Sequence, residues 1–255
     1  MRQKVIAGNW KMHKTNPEAI RLVTQLRKYM EKTPPRKTRV IVCPPFTALS
    51  VVNEAIKGSK IQLGAQNMFW EEEGAFTGEI SPRMIKSTGA KYVIIGHSER
   101  RRYFKEDEHT INRKIHLALK NKLKVIHCIG ETLEEREQNL TQDIIINQIE
   151  WGLKNITPEQ MKNIIIAYEP VWAIGTGKTA TPEQAQEVHA FVREMLNTII
   201  GQNVGDRVTI LYGGSVKPEN AAGLLAQPDV DGALVGGACL EARSFFKIIQ
   251  ASEQV

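Results

Sequence analysis

Residues 164–180 read Ile-Ile-Ile-Ala-Tyr-Glu-Pro-Val-Trp-Ala-Ile-Gly-Thr-Gly-Lys-Thr-Ala. The opening run is short, apolar and β-branched, the pattern of a strand buried on both faces. Glu169 follows, and Pro170 ends the ladder because it has no N–H to donate. A loop carrying Gly175 and Gly177 then leads to Thr181-Pro182-Glu183-Gln184. That tetrapeptide opens a helix with an N-cap, a proline at the first helical position and a capping-box Gln. An acid at the carboxyl end of a buried strand, followed by a glycine loop, is the layout of a catalytic base beneath a lid.

The same grammar recurs along the chain. Apolar runs at 4–8, 40–43, 61–65, 92–96, 124–129, 164–169, 208–212 and 232–236 read as strands. Helical periodicity fills the intervals. Asn16-Pro17 caps a helix with Ile20, Val23, Leu26 and Met30 on one face, and Ser81-Pro82 starts another containing Met84 and Ile85,. After the glycine loop, Glu187, Val188, Phe191, Val192 and Met195 mark an inner stripe; Phe245, Phe246, Ile248 and Ile249 close the chain as a short helix. Strictly alternating βα units imply a parallel sheet with helices outside. Eight of them in about 250 residues fit a closed (β/α)8 barrel. A doubly wound open sheet would usually show a glycine-rich turn straight after the first strand. Here Gly8 is followed by Asn-Trp-Lys, which favours the barrel, with residues 1–255 as one domain.

Met1-Arg2-Gln3-Lys4 runs almost directly into a strand, leaving no room for a signal peptide,. No apolar stretch approaches the ~18 residues that cross a bilayer. A cytoplasmic protein without membrane contact is expected. The three cysteines, Cys43, Cys128 and Cys239, lack metal-like spacing and suggest neither a zinc site nor a disulfide framework,. Cys128 ends the fifth strand, but no His and carboxylate are evidently dedicated to it as a nucleophile. The formal charge of +6 raises nucleic-acid binding. The basic runs Arg100-Arg101-Arg102 and 35–39 are short, and no aromatic-interleaved stripe accompanies them,. A mildly basic surface also steers anionic substrates.

Barrel active sites lie at the carboxyl ends of the strands. There the first strand offers Gly8-Asn9-Trp10-Lys11, the fourth Gly96-His97-Ser98-Glu99-Arg100 and the sixth Glu169. The seventh offers Gly213-Gly214-Ser215 and the eighth Gly236-Gly237. One rim thus gathers an amide, a lysine, a histidine and a carboxylate, beside two glycine turns where barrels commonly hold phosphate with backbone N–H groups.

In these strings the chain resembles the triosephosphate isomerase family, from the first strand to the last helix. The carrying motifs are Gly8-Asn9-Trp10-Lys11, Ala75-Phe76-Thr77-Gly78-Glu79, the segment from Ile95 to Arg101, the segment from Ala167 to Gly177, Leu211-Tyr212-Gly213-Gly214-Ser215-Val216 and Val235-Gly236-Gly237-Ala238. Only Cys239 departs, standing where a small polar residue is expected. The resemblance implies an α/β, single-domain TIM barrel that interconverts dihydroxyacetone phosphate and glyceraldehyde 3-phosphate in glycolysis and gluconeogenesis. Glu169 would be the base that moves a proton between adjacent carbons. His97 would be the electrophile, neutral in the family because of a helix N-terminus. Lys11 would supply positive charge, Asn9 a positioned donor, and Ser98 and Glu99 would orient these groups. Ser215, Gly236, Gly237 and the lid residue Gly175 would hold the substrate phosphate. No cofactor or metal is needed for a proton shuttle between two carbons. The resemblance also implies a homodimer in which the long connection from Gln66 to Ser81 inserts Thr77 beside the partner's site. The residues themselves suit that role, because the loop is long and rich in apolar groups (Met68, Phe69, Trp70, Ala75, Phe76) expected to be exposed,.

Two rival enzymes fail on the letters. A nucleotide P-loop at Gly177-Lys178-Thr179 needs glycine where Trp172 stands,. A Schiff-base aldolase would want a buried lysine at a strand end. Lys11 is the only lysine of the assembled rim, and Glu169 occupies the end of the sixth strand.

Overall fold

A computed structural model describes residues 2–174 and 179–255. Eight strands form a closed, all-parallel barrel in sequence order: β1 (Lys4–Asn9), β2 (Thr38–Cys43), β3 (Ile61–Ala65), β4 (Tyr92–Ile95), β5 (Lys124–Ile129), β6 (Ile164–Tyr168), β7 (Ile210–Tyr212) and β8 (Gly232–Val235). β8 returns to β1 with Val5 opposite Gly232 and Gly8 opposite Val235. The described helices are α1 (Asn16–Lys32), α2 (Leu49–Ile56), α3 (Pro82–Ser87), α4 (Ser98–Phe104), α5 (Glu108–Lys120), α6 (Leu133–Glu137), α7 (Thr141–Gly152), α8 (Pro182–Ile199), α9 (Pro218–Leu225) and α10 (Ala242–Glu253).

Alternation along each strand divides the core in two. Val5, Ala7, Ile41, Cys43, Ile94, Ile126, Cys128, Ile165, Ala167, Leu211 and Leu234 belong to a cluster drawn only from strands, the barrel interior. The residues between them, such as Ile6, Val40, Val42 and Val125, pack outward against the helices,.

Local chemistry starts the helices. The N–H and hydroxyl of Thr15 both donate to Glu18, so Thr15, not Asn16, caps α1. Ser81 caps α3 through the Met84 N–H, and Thr181 and Gln184 exchange bonds at the start of α8 as expected. Two readings of helical faces need correction. Ile20 is exposed, and α1 buries Ala19, Leu22, Val23, Leu26 and Met30 instead. Glu187 is exposed too; the inner stripe of α8 includes His189 and Arg193. Both polar residues find partners there, which makes their burial affordable. The ladder of β7 starts at Ile210 and not at Val208, whose N–H closes the preceding turn on the Val204 carbonyl.

Candidate active site

Glu169 directly follows β6 and is 2 % exposed. Its N–H donates to the Ile129 carbonyl at 2.7 Å, so the residue continues the β5 edge although its strand has ended. The side chain enters the cleft at the carboxyl ends of the strands. Oε1 lies 2.9 Å from His97 Nε2, and Oε2 accepts the Ser98 N–H at 3.0 Å. The Ser98 hydroxyl adds a longer bond of 3.3 Å. Burial alone would push this carboxyl up; the His97 ring and the Ser98 N–H outweigh it and hold Glu169 below the ordinary glutamate value,. The acid is therefore ionised at neutral pH.

His97 is positioned by the turn after β4, where Gly96 takes φ +77 and its carbonyl is held by Arg101 Nε at 2.8 Å. α4 begins directly after it. Burial pushes the imidazole down, and the Glu169 carboxylate draws it back above its ordinary value. The Glu99 N–H donates to Nδ1 at 3.2 Å, which assigns the ring proton to Nε2, facing Glu169,. While the Glu99 N–H holds Nδ1, the ring offers its Nε2 proton to the Glu169 carboxylate,.

Lys11 and Asn9 come from the end of β1. Asn9 Oδ1 accepts the Lys11 N–H at 3.0 Å, and Gln66 Nε2 donates to the Lys11 carbonyl at 2.8 Å. These bonds fix Lys11 at φ +53. Its Nζ meets Glu99 Oε1 at 2.7 Å. Asn9 therefore aims the lysine as well as facing the cleft, a role not evident from its sequence position.

Across the cleft stand the turns after β7 and β8. Ser215, Gly236 and Gly237 line the same space as Asn9, Lys11, His97, Ser98, Glu99 and Glu169, a cavity of about 740 Å³. A Cβ on Gly237 would meet nothing within 4 Å, so packing does not demand glycine there and the room faces the cleft. Gly175 lies outside the described residues.

Several contributors escaped the sequence reading. Gly130 (φ +154) lets β5 approach β6 so closely that a Cβ would sit 1.8 Å from the Glu169 carbonyl oxygen. A Cβ on Gly213 would sit 2.8 Å from Glu169 Cγ, so this glycine makes room for the acid and not merely for a turn. The Cys128 thiol touches Glu169, and burial with that negative charge pushes it well above the ordinary thiol value. It is no nucleophile. Glu131, fully buried just after β5, accepts from Tyr168 Oη at 3.0 Å, Trp172 Nε1 at 2.9 Å and Arg136 at 3.0 Å. Its carbonyl accepts the Val171 N–H. An acid just after a strand was the signal that singled out Glu169, and Glu131 answers to it equally.

The long loop is only partly exposed. Met68 is buried in the core, and Phe69 stacks on Trp70 and against Phe76, contrary to the expectation that all these groups face water. Phe76 remains exposed, as do Met12, Tyr103 and Phe104. Of the basic run, Arg100 pairs with Glu106 and Arg101 with Glu108. Cys239 packs behind the turn, its Sγ 3.5 Å from the Asn9 carbonyl.

Residues 4–252 match the family model described as triosephosphate isomerase. The chain belongs to the triosephosphate isomerase family. Among curated relatives, the triosephosphate isomerase of Carboxydothermus hydrogenoformans is 55 % identical over 99 % of this chain and 100 % of its own length. That of Geotalea uraniireducens is 52 % identical over 99 % of this chain and 100 % of its own. That of Moorella thermoacetica is 53 % identical over 98 % of each. The family is one of intramolecular aldose–ketose isomerases, and this chain is an enzyme of that class. No described helix is long and apolar enough to cross a membrane.

Proposed function

We propose that the protein interconverts dihydroxyacetone phosphate and D-glyceraldehyde 3-phosphate by proton transfer through an enediolate, as a cytoplasmic enzyme of glycolysis and gluconeogenesis. The observation that carries the reading is the buried, ionised Glu169 beside His97 Nε2, in one cleft with Lys11 and two glycine turns. The turns would take the substrate phosphate on the Gly236 and Gly237 N–H groups and at Ser215, with Gly175 added from the lid. That anchor sets the carbonyl and its neighbouring carbon between Glu169 and His97.

In the free site the base and the electrophile are bonded to each other. Substrate must come between them, so Glu169 would leave Ser98 and His97 as it takes the carbon-bound proton. His97 Nε2–H would then donate to the carbonyl oxygen, on which negative charge grows. Lys11 would stabilise the same charge, and the carboxyl would return its proton to the adjacent carbon. Stabilising the developing charge makes such a weak carbon acid accessible to a carboxylate. The donors are fixed in advance by Glu99, Asn9 and Gln66. No step calls on a cofactor, a metal, nucleic acid or a membrane.

A coupled assay supplied with dihydroxyacetone phosphate tests the reading. Glyceraldehyde 3-phosphate should form, and product made in deuterium oxide should carry deuterium on the carbon that receives the proton. Borohydride trapping of a lysine adduct would instead establish aldolase chemistry.

We also infer a homodimer built on the loop from Gln66 to Ser81, with Thr77 near the partner's site. Its support is the exposed apolar set Phe76, Met12, Tyr103 and Phe104, with Met12 94 % exposed,. A fully active monomer by sedimentation at low micromolar concentration would overturn it.

A further inference from the structure

The end of the barrel opposite the cleft holds a second cavity, of about 360 Å³, where the strands begin. Its floor is set by the same alternation that builds the interior. Ile41 and Cys43 point inward from β2, and Ile126 and Cys128 from β5. Two residues earlier on each strand the alternation brings in Arg39 and Lys124, both half-buried,. Tyr92 lies between them, opposite Lys124 in the register and hydrogen-bonded by Arg39. On β3 the residue paired with Tyr92 is Gly64, so no side chain separates the ring from β2.

The charges here are poorly matched. Of the cations lining the cavity, Arg2 is neutralised by Asp231 and Lys162 by Glu159. Arg39, Lys124 and Arg207 have no carboxylate partner among the described residues. The lining holds one carboxylate, Asp206, which is exposed and takes a hydrogen bond from Asn197. Three unpaired cations against one carboxylate leave two positive charges uncompensated. Burial, and the neighbouring Arg39 and Lys91 cations, hold the Lys124 ammonium below its ordinary value. Half-buried like charges facing one another cost stability unless something offsets them.

We propose that this floor is a binding site for a small phosphate-class dianion, separate from the substrate phosphate turn at the opposite rim. The Arg39 guanidinium presents a planar fork of N–H donors to its oxygens, and Lys124 and Arg207 supply point charges around them. The cavity falls within the size range of small-molecule sites. A single cavity of about 360 Å³ suits one compact anion and not an extended nucleic-acid backbone.

The test is a titration of the full-length protein with inorganic phosphate and, separately, pyrophosphate at low ionic strength. Calorimetry gives affinities, and amide shifts locate the sites. The wild type should show two classes of site. One moves amides at the rim, around Gly213 and Gly237. The other moves Tyr92, Thr209 and Gly232 at the floor. Arg39→Gln/Lys124→Gln should weaken the floor class at least about tenfold and leave the rim class and turnover unchanged. Arg207→Gln, at an exposed position that cannot disturb the core, should weaken the floor class several-fold. Lys28→Gln/Lys247→Gln removes the same charge from α1 and α10 and should leave both classes intact. Should the floor double variant not fold, the wild-type shifts and Arg207→Gln decide. Wild-type shifts confined to the rim would overturn the proposal. So would a loss in the control variant equal to that in Arg207→Gln, which would reduce the effect to net charge.

Discussion

Glu169 and Glu131 follow consecutive strands, and both are buried. Their surroundings differ in one respect that separates an exchangeable group from a fixture. Glu169 is held by a histidine ring, one backbone N–H and a weak hydroxyl bond, in a cleft open to substrate. Glu131 is held by Tyr168, Trp172 and Arg136 at once, and its carbonyl ties down Val171. The histidines divide the same way. His97, at the rim, faces a carboxylate and is drawn up. His127 and His189, in the layer between barrel and helices, are pushed down by burial, to about 3 and about 4. The rim keeps bonds that can be exchanged; the layer behind it keeps charges that are locked or absent.

The sharpest way to break this comparison is in the layer behind. Arg193 donates to Asp229 and Asp231 and to the carbonyls of Gly205 and Val208. Arg193→Met leaves two carboxylates partly unpaired and should cost about 3–5 kcal/mol of stability. Denaturation at fixed protein concentration measures it, while turnover of the folded protein should stay near wild type. Lost turnover at full stability would move Arg193 to the exchangeable side.

Next in size is Glu169→Asp. It keeps the charge but withdraws it by one methylene, an error near 1 Å that costs on the order of 100-fold. The fall should appear in kcat with KM little changed, and wild-type turnover would remove Glu169 from its role.

The buried histidines give a pH test. The unfolded chain titrates near 6.5, above the folded values of about 4 and about 3. Between those limits the unfolded state binds more protons, so the contribution of the neutral histidines is complete above pH 6.5, is lost as pH falls from there to about 4 and about 3, and changes no further below,. His189→Gln removes one such group. Its stability deficit against wild type should shrink by on the order of 2 kcal/mol between about pH 7 and about pH 5. A deficit independent of pH in urea denaturation would mean that His189 titrates normally.

Smallest is Ser98→Ala, which removes a 3.3 Å bond to Glu169 and keeps the backbone N–H. It should lower kcat/KM only a few-fold, under ~1 kcal/mol. A loss matching Glu169→Asp would make the hydroxyl, not the N–H, the holder of the base.

The barrel and its rim were legible because both are written in local order. Period-two apolar runs mark strands, and residues just after strand ends must meet at one face once the barrel closes. Asn9, Lys11, His97, Glu169, Ser215 and Gly237 were found that way. Contacts between distant segments are not written locally. Nothing near Gly130 announces that the β6 backbone will approach it, and nothing near Gly213 announces the Glu169 side chain. Polarity misled along α8, where the 3.6 period places His189 and Arg193 on the buried stripe beside Val188 and Val192,. Their acceptors, Asp229 and Asp231, lie some 40 residues away. Met68 misled for the opposite reason: an apolar residue at the base of a long loop joined the core, not the surface.

Lys11 occupies a left-handed backbone position, φ +53, that glycine would hold without penalty and most other residues resist,. A chain shaped only by folding would shed the lysine. Its retention exchanges thermodynamic robustness for a cation aimed by Asn9 and Gln66. Variants screened for heat resistance alone would drift toward glycine there, and grow sturdier as they lost the cation that lines the cleft,.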